Sequence, residues 1–101
     1  MVWQSEYYVY MVADRPYGTL LVSITNDLIG SMERYRLGTG DYIARKCRVD
    51  RLVYFERARN ITDAITRESQ IRKWLRKWKI GLIESRNPGW KDLYDEVAAR
   101  K

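Results

Sequence analysis

Histidine is absent from this chain, and cysteine occurs once, at Cys47. Without histidine the usual general base is missing, and a lone thiol cannot build the zinc sites made from His and Cys. A single cysteine also excludes an internal disulfide and fits a reducing, cytoplasmic setting. Prolines number two and glycines six, too few for a long flexible linker. No tract is low in complexity, and no repeat of about 20–50 residues recurs. No apolar run approaches the roughly 18 residues that a membrane span needs. The opening stretch, "MVWQSEYYVYMV", lacks a basic start and a long apolar core, so it is not expected to serve as a secretory leader. Any catalysis must run on carboxylate, tyrosine, lysine or arginine, with a hard metal ion on oxygen ligands as its natural aid.

What is present suits one domain spanning residues 1–101, because 46% apolar content over 101 residues can build one core. The charge is uneven: 19 Lys+Arg against 13 Asp+Glu leave a net +6. An excess of this kind favours a polyanionic partner, DNA foremost, although solubility alone would also account for it.

Residues 5–13, "SEYYVYMVA", are aromatic and β-branched and predict a strand. "DRPYG" at 14–18 is turn chemistry, and "TLLVSIT" at 19–25 predicts a second strand, hence an antiparallel hairpin. Both strands are apolar at nearly every position, which implies burial on both faces. A helix is expected from Thr25 or Asn26, with Leu28, Ile29, Met32 and Tyr35 at helical spacing and Gly38 and Gly40 at its end. "GTGDYIARKC" then forms a basic loop, and "DRLVYFERA" at 50–58 a third strand. Asn60 caps a long helix, with Asp63 at the capping-box position and a break near Gly81. Its apolar stripe runs through Ile61, Ala64, Ile65, Ile71, Leu75, Trp78 and Leu82. "NPG" at 87–89 is a turn, and "WKDLYDEVAA" a short last helix. The order β-β-α-β-α-α describes a small α/β (α+β) domain with a three-stranded antiparallel sheet flanked by helices.

Glu68 falls on the apolar stripe, four residues from Ala64 and three from Ile71. A carboxylate on a core-facing line must be paired, hydrogen-bonded or metal-bound, because burying it alone costs several kcal/mol, roughly. The alternative is a stripe-edge glutamate bonded to Arg72 at i+4 and facing water. The segment "RESQIRKWLRKWK", 67–79, places Trp74 and Trp78 among six cations. It reads either as a phosphate-tracking face with aromatic supports or as an amphipathic helix whose tryptophans are core.

Tyr8-Val9-Tyr10, followed after ten residues by Leu21-Val22-Ser23, resembles the paired signature of the GIY-YIG endonuclease family. The segments "GTLLVSITNDL", "RLVYFE", "AITRESQIRKW", "WKIGLIE" and "NPGWKDLY" are similar to the short bacterial single-domain branch, and more distantly to the N-terminal domain of excision-repair nucleases. The resemblance implies the GIY-YIG fold and a divalent-metal phosphodiesterase acting on DNA. It also implies Glu68 as the ligand of a Mg2+ or Mn2+ ion, with Tyr10 kept from the first triplet. The second-triplet tyrosine falls on Leu21, the glycine of that triplet on Ser23, and the helix arginine on Ser31. The histidine often found one turn further falls on Tyr35. Base and phosphate clamp are therefore degenerate, with Arg34, Tyr35 and Tyr17 as substitute groups.

The expected function is a GIY-YIG nuclease-family domain that binds DNA with lost or much reduced endonuclease activity. Binding is expected through Arg45 and Lys46 of the basic loop and Arg72, Lys73, Arg76 and Lys77 of the long helix. Two other functions fit: an active Mg-dependent endonuclease using substitute residues, and a protein-interaction module in which the old cleft, made apolar by Leu21, binds a protein partner.

Overall fold

The structure, a computed structural model, describes residues 6–38, 46 and 48–99. Strands β1 (Tyr7–Ala13), β2 (Leu20–Thr25) and β3 (Arg51–Ala58) form an antiparallel sheet in the order β2-β1-β3. The helices among the described residues are α1 (Leu28–Arg36), α2 (Ile61–Lys73), α3 (Arg76–Arg86) and α4 (Tyr94–Ala99). The fold is α+β, and the element order is β-β-α-β-α-α-α, one helix more than the sequence pattern predicted. No helix among the described residues is long and apolar enough to cross a membrane.

The hairpin closes through its turn. The Asp14 carboxylate accepts from the Thr19 amide at 2.8 Å, and the Gly18 amide donates to the Arg15 carbonyl at 3.0 Å. β1 then lies between two partners, and its continuous apolar run is explained by that position. Val9, Met11 and Ala13 point to one face, against Ala64 and Ile71 of α2 and Ile83 of α3. Tyr10 and Val12 point to the other, against Leu28 and Met32 of α1, with Tyr94 and Val97 of α4 at the margin. The expectation of two buried faces holds for β1. β2 is an edge strand, and all six of its residues are only half-buried. A register shift in β3 lets Met11 pair with Tyr54 and Val12 with Leu52. Val53 is the extra residue, and it joins Tyr54 in the core on the α2 and α3 side.

Local chemistry sets the helix ends. Asp27, rather than Thr25 or Asn26, is the N-cap of α1, and its carboxylate accepts from the Gly30 amide at 3.0 Å. Gly38 follows the end of α1 at φ +75, a left-handed position open to glycine. Asn60 caps α2 as expected, accepting from the Asp63 amide at 2.8 Å.

The predicted long helix is two helices. The break falls at Trp74 and Leu75, whose backbones are extended (ψ 153 and 150), and Gly81 lies inside α3. A continuous helix over 61–86 would run about 39 Å, beyond a sheet whose strands reach only about 25 Å. Turning at Trp74 brings Ile71 and Ile83 into one core. The turn also resets the helical phase, so Leu75 and Trp78 are exposed rather than on a buried stripe. On α2 the buried line is Ala64, Glu68 and Ile71, and Ile61 and Ile65 lie off it, exposed.

Two polar assemblies tie the layers together. Buried Asn87 donates to the carbonyls of Val53 (3.0 Å) and Lys91 (2.9 Å) and accepts from the Lys91 amide (3.0 Å). Glu56 on β3 accepts a forked pair from Arg67 on α2 at 2.8 and 3.2 Å, and also accepts from the Tyr54 hydroxyl. Burial, and then the bond and charge of Glu56, push the Tyr54 phenol up to about 12.

Two expected outcomes follow from these assemblies. Asn87→Ala should lower unfolding stability by about 1–3 kcal/mol, because buried carbonyls lose their donor; chemical denaturation measures it. Tyr54 keeps its proton in the folded state where the unfolded chain, with its ordinary value of 10.0, releases it. The stabilisation is therefore complete below pH 10.0 and lost as pH rises toward about 12. Denaturation midpoints across that window should fall less steeply in Tyr54→Phe than in the native chain.

Candidate functional site

The hairpin register sets Tyr10 of β1 directly opposite Ser23 of β2, both on the sheet face that α1 covers. α1 presents Ser31, Arg34 and Tyr35 to the same place. Together with Thr25 these residues line a cavity of about 220 Å³. Ser31 is only 3% exposed, and its Oγ lies 2.7 Å from Thr25 Oγ1. Arg34 Nη2 donates to Ser31 Oγ at 3.0 Å, and Thr25 Oγ1 reaches the Asp27 carbonyl at 3.2 Å. One consistent set of donors runs from Arg34 to Ser31 to Thr25 to that carbonyl, leaving no hydroxyl proton unused. On the other wall the Tyr10 and Tyr35 hydroxyls lie 3.2 Å apart, with their rings edge-to-face at 6.3 Å.

The cavity therefore collects Tyr10, Ser23, Ser31, Arg34 and Tyr35 from the sequence-predicted set. Leu21 stands across from Val12 on the same face and packs against the apolar core under α1. Glu68 does not line this cavity. It belongs to α2, whose Ala64 and Ile71 pack on the other face of the sheet. Glu68 is 8% exposed and accepts from Arg72, so it is buried on the stripe and paired at i+4 at once.

Tyr17 also lies elsewhere. It sits in the hairpin turn at φ +60, tilted against Trp90 with ring centroids 4.9 Å apart, and its hydroxyl donates to Glu84. Trp90 Nε1 donates to the same carboxylate at 2.9 Å. The Tyr17 bond holds Glu84 below the usual carboxylate range, with Trp90 adding to it, and Glu84 in turn raises the Tyr17 phenol. Arg76 Nη2 donates to the carbonyls of Tyr17 and Gly18, each at 2.6 Å.

The expected DNA-binding cations divide into two kinds. Arg72 is bonded to Glu68 and Arg76 to the hairpin turn, so both have structural work. Lys73 and Lys77 are exposed and have no ion-pair partner among the described residues. Lys46 is exposed, and Arg45 lies outside the described residues, as does most of the basic loop. Sequence reasoning missed Thr25 as a cavity residue. The signal was available: in a tight hairpin, Thr25 falls on the same face as Ser23, two residues on.

Among the described residues no group of three or more Asp, Glu, Cys or His side chains could hold a metal ion. A divalent cation at Glu68 would compete with the Arg72 guanidinium for the same carboxylate. Comparison with protein-family models, curated proteins and solved structures found no match.

Proposed function

We propose that this chain is a DNA-binding domain on a GIY-YIG nuclease scaffold, with endonuclease activity lost or much reduced. One observation carries the reading. The cavity between the hairpin and α1 joins five hydroxyl-bearing side chains to one guanidinium, and no carboxylate lines it. Once drawn from their bonds to one another, these hydroxyls and the guanidinium suit a phosphate oxygen as ligand, since charge-assisted bonds to phosphate are short and strong. Cleavage asks for more. Losing one preorganised charge-stabilising donor costs about 10²–10³ in rate, and losing a general base roughly 10²–10⁴. Leu21 and Ser31 stand where the resemblance would put those two groups. The net charge of +6 supplies the long-range attraction.

An active endonuclease using substitute residues is the second reading. Its support is the Arg34 guanidinium, brought against Ser31 by a 3.0 Å bond. It would need a Mg2+ or Mn2+ ion held by Glu68 in place of Arg72.

Binding should weaken steeply with salt, log K falling linearly with log salt concentration. The double variant Lys73→Glu, Lys77→Glu should bind duplex DNA on the order of tenfold less tightly with a shallower salt slope. Unchanged affinity by fluorescence anisotropy would sink this assignment of the surface. In a plasmid-cleavage assay with magnesium or manganese, the native chain should leave DNA intact, whereas the variant Leu21→Tyr, Ser23→Gly, Ser31→Arg should cut. Cutting by the native chain that Glu68→Gln abolishes would establish the second reading instead.

A further inference from the structure

Among the described residues, Trp78 is the largest side chain the fold leaves in water. It is 54% exposed, one turn into α3, and the core on that side is completed by Ile83 with Ile80 and Leu82 at its margin. An indole in this position leaves about half of its surface to water. Three neighbours give the exposure a shape. Trp74, half-buried against the core, meets Trp78 edge-to-face at 6.3 Å and 81°. Trp74 is itself braced by Arg67, whose guanidinium lies 5.3 Å from its ring centre. The Trp78 ring therefore rests against a fixed wall, which lowers the entropy lost when something stacks on it.

Further along the helix the surface is exposed at Gly81. Gly81 lies one turn after Trp78 on the same helix face, and a Cβ built there would meet nothing within 4 Å. The side chain that would normally lean back over residue 78 is missing. The result is a flat shelf beside an indole. The helix junction that carries the indole also carries two exposed cations, Lys73 at the end of α2 and Lys77 at the start of α3.

We propose that Trp78 is a stacking platform for an unpaired base, and that the Trp78–Gly81 shelf with Lys73 and Lys77 binds single-stranded DNA. The charge of the junction selects the occupant. A neutral apolar partner would gain nothing from the exposed Lys73 and Lys77, which have no ion-pair partner among the described residues, whereas a single strand offers a π-face and flanking phosphates at once. Paired bases inside a duplex expose no face to the indole, so the shelf distinguishes single strand from double strand. This rests on the DNA-binding reading above and gives it a substrate class: frayed, flapped or unpaired segments.

The test measures binding of the native chain, Trp78→Ala, Trp78→Phe and Gly81→Leu to a thymidine oligonucleotide and to a duplex of equal length. Trp78→Ala should lose about fivefold or more on the single strand and less than about twofold on the duplex, and Trp78→Phe should recover most of the loss. Gly81→Leu fills the shelf while replacing a helix-interior glycine, so it should weaken single-strand binding with an unchanged or higher Tm. Native tryptophan fluorescence should be quenched by the oligonucleotide, and less so in Trp78→Phe. Equal single-strand affinity in the native chain and Trp78→Ala, with duplex binding intact, overturns the stacking platform and leaves the DNA-binding reading standing. Failure of the native chain to bind either nucleic acid overturns both. Binding to anionic phospholipid vesicles or self-association that Trp78→Ala abolishes, with single-strand binding unaffected, assigns the shelf to another occupant and overturns the proposal.

Discussion

The constraint on which the molecule depends is that β1 must serve two cores. A three-stranded sheet has only one interior strand, and here it is the first in sequence. Its odd-numbered residues from Val9 to Ala13 and its even-numbered Tyr10 and Val12 go to opposite faces, all of them buried. Each large side chain fully removed from water contributes about 1.5–3 kcal/mol, so the strand anchors both helix layers. Other features follow from that arrangement. The bulge at Val53 supplies an extra side chain to the core that needs it. The turn at Trp74 folds one long helical segment back over a sheet too short to carry it straight.

The same alternation decides what the cavity contains. Because Tyr10 faces α1 and its neighbours Val9 and Met11 do not, the cleft receives one tyrosine from β1, and α1 provides the second. Glu68, carried by a helix on the far face, is held by Arg72. The guanidinium groups of Arg67, Arg72 and Arg76 are all spent on internal acceptors, and the lysines are the cations left at the surface of the α2–α3 junction. Arginine's fixed fork suits it to the first task, and the solvated ammonium of lysine suits the second.

Strands and caps were legible in the sequence because short-range chemistry fixes them. Aromatic and β-branched residues mark β1, "DRPYG" marks the turn, and Asn60 announces α2. The place of Glu68 on the stripe was legible from its spacing to Ala64 and Ile71, but that spacing left burial and a water-facing pair with Arg72 equally open. The position of the helix break was not legible, since the pattern put it near Gly81 and it falls at Trp74 and Leu75. No proline or glycine marks Trp74 and Leu75, and what the turn achieves, Ile71 and Ile83 in one core, is a tertiary property. With the break placed near Gly81, the periodicity carried Leu75 and Trp78 onto a stripe that the real helix does not have. The division of the arginines was equally hidden, because the acceptor of Arg76 lies 58 and 59 residues away in the hairpin turn.

That last contact has a consequence for how the chain tolerates change. Arg76 grips Tyr17 and Gly18 by their carbonyl oxygens, which every amino acid carries. The grip is blind to side-chain identity, so the turn can drift in sequence without releasing α3. Tyr17 occupies a left-handed backbone position that asparagine or glycine fills with less strain. Its aromatic ring is therefore a choice made for Glu84 and Trp90, while the docking of hairpin on helix belongs to the backbone.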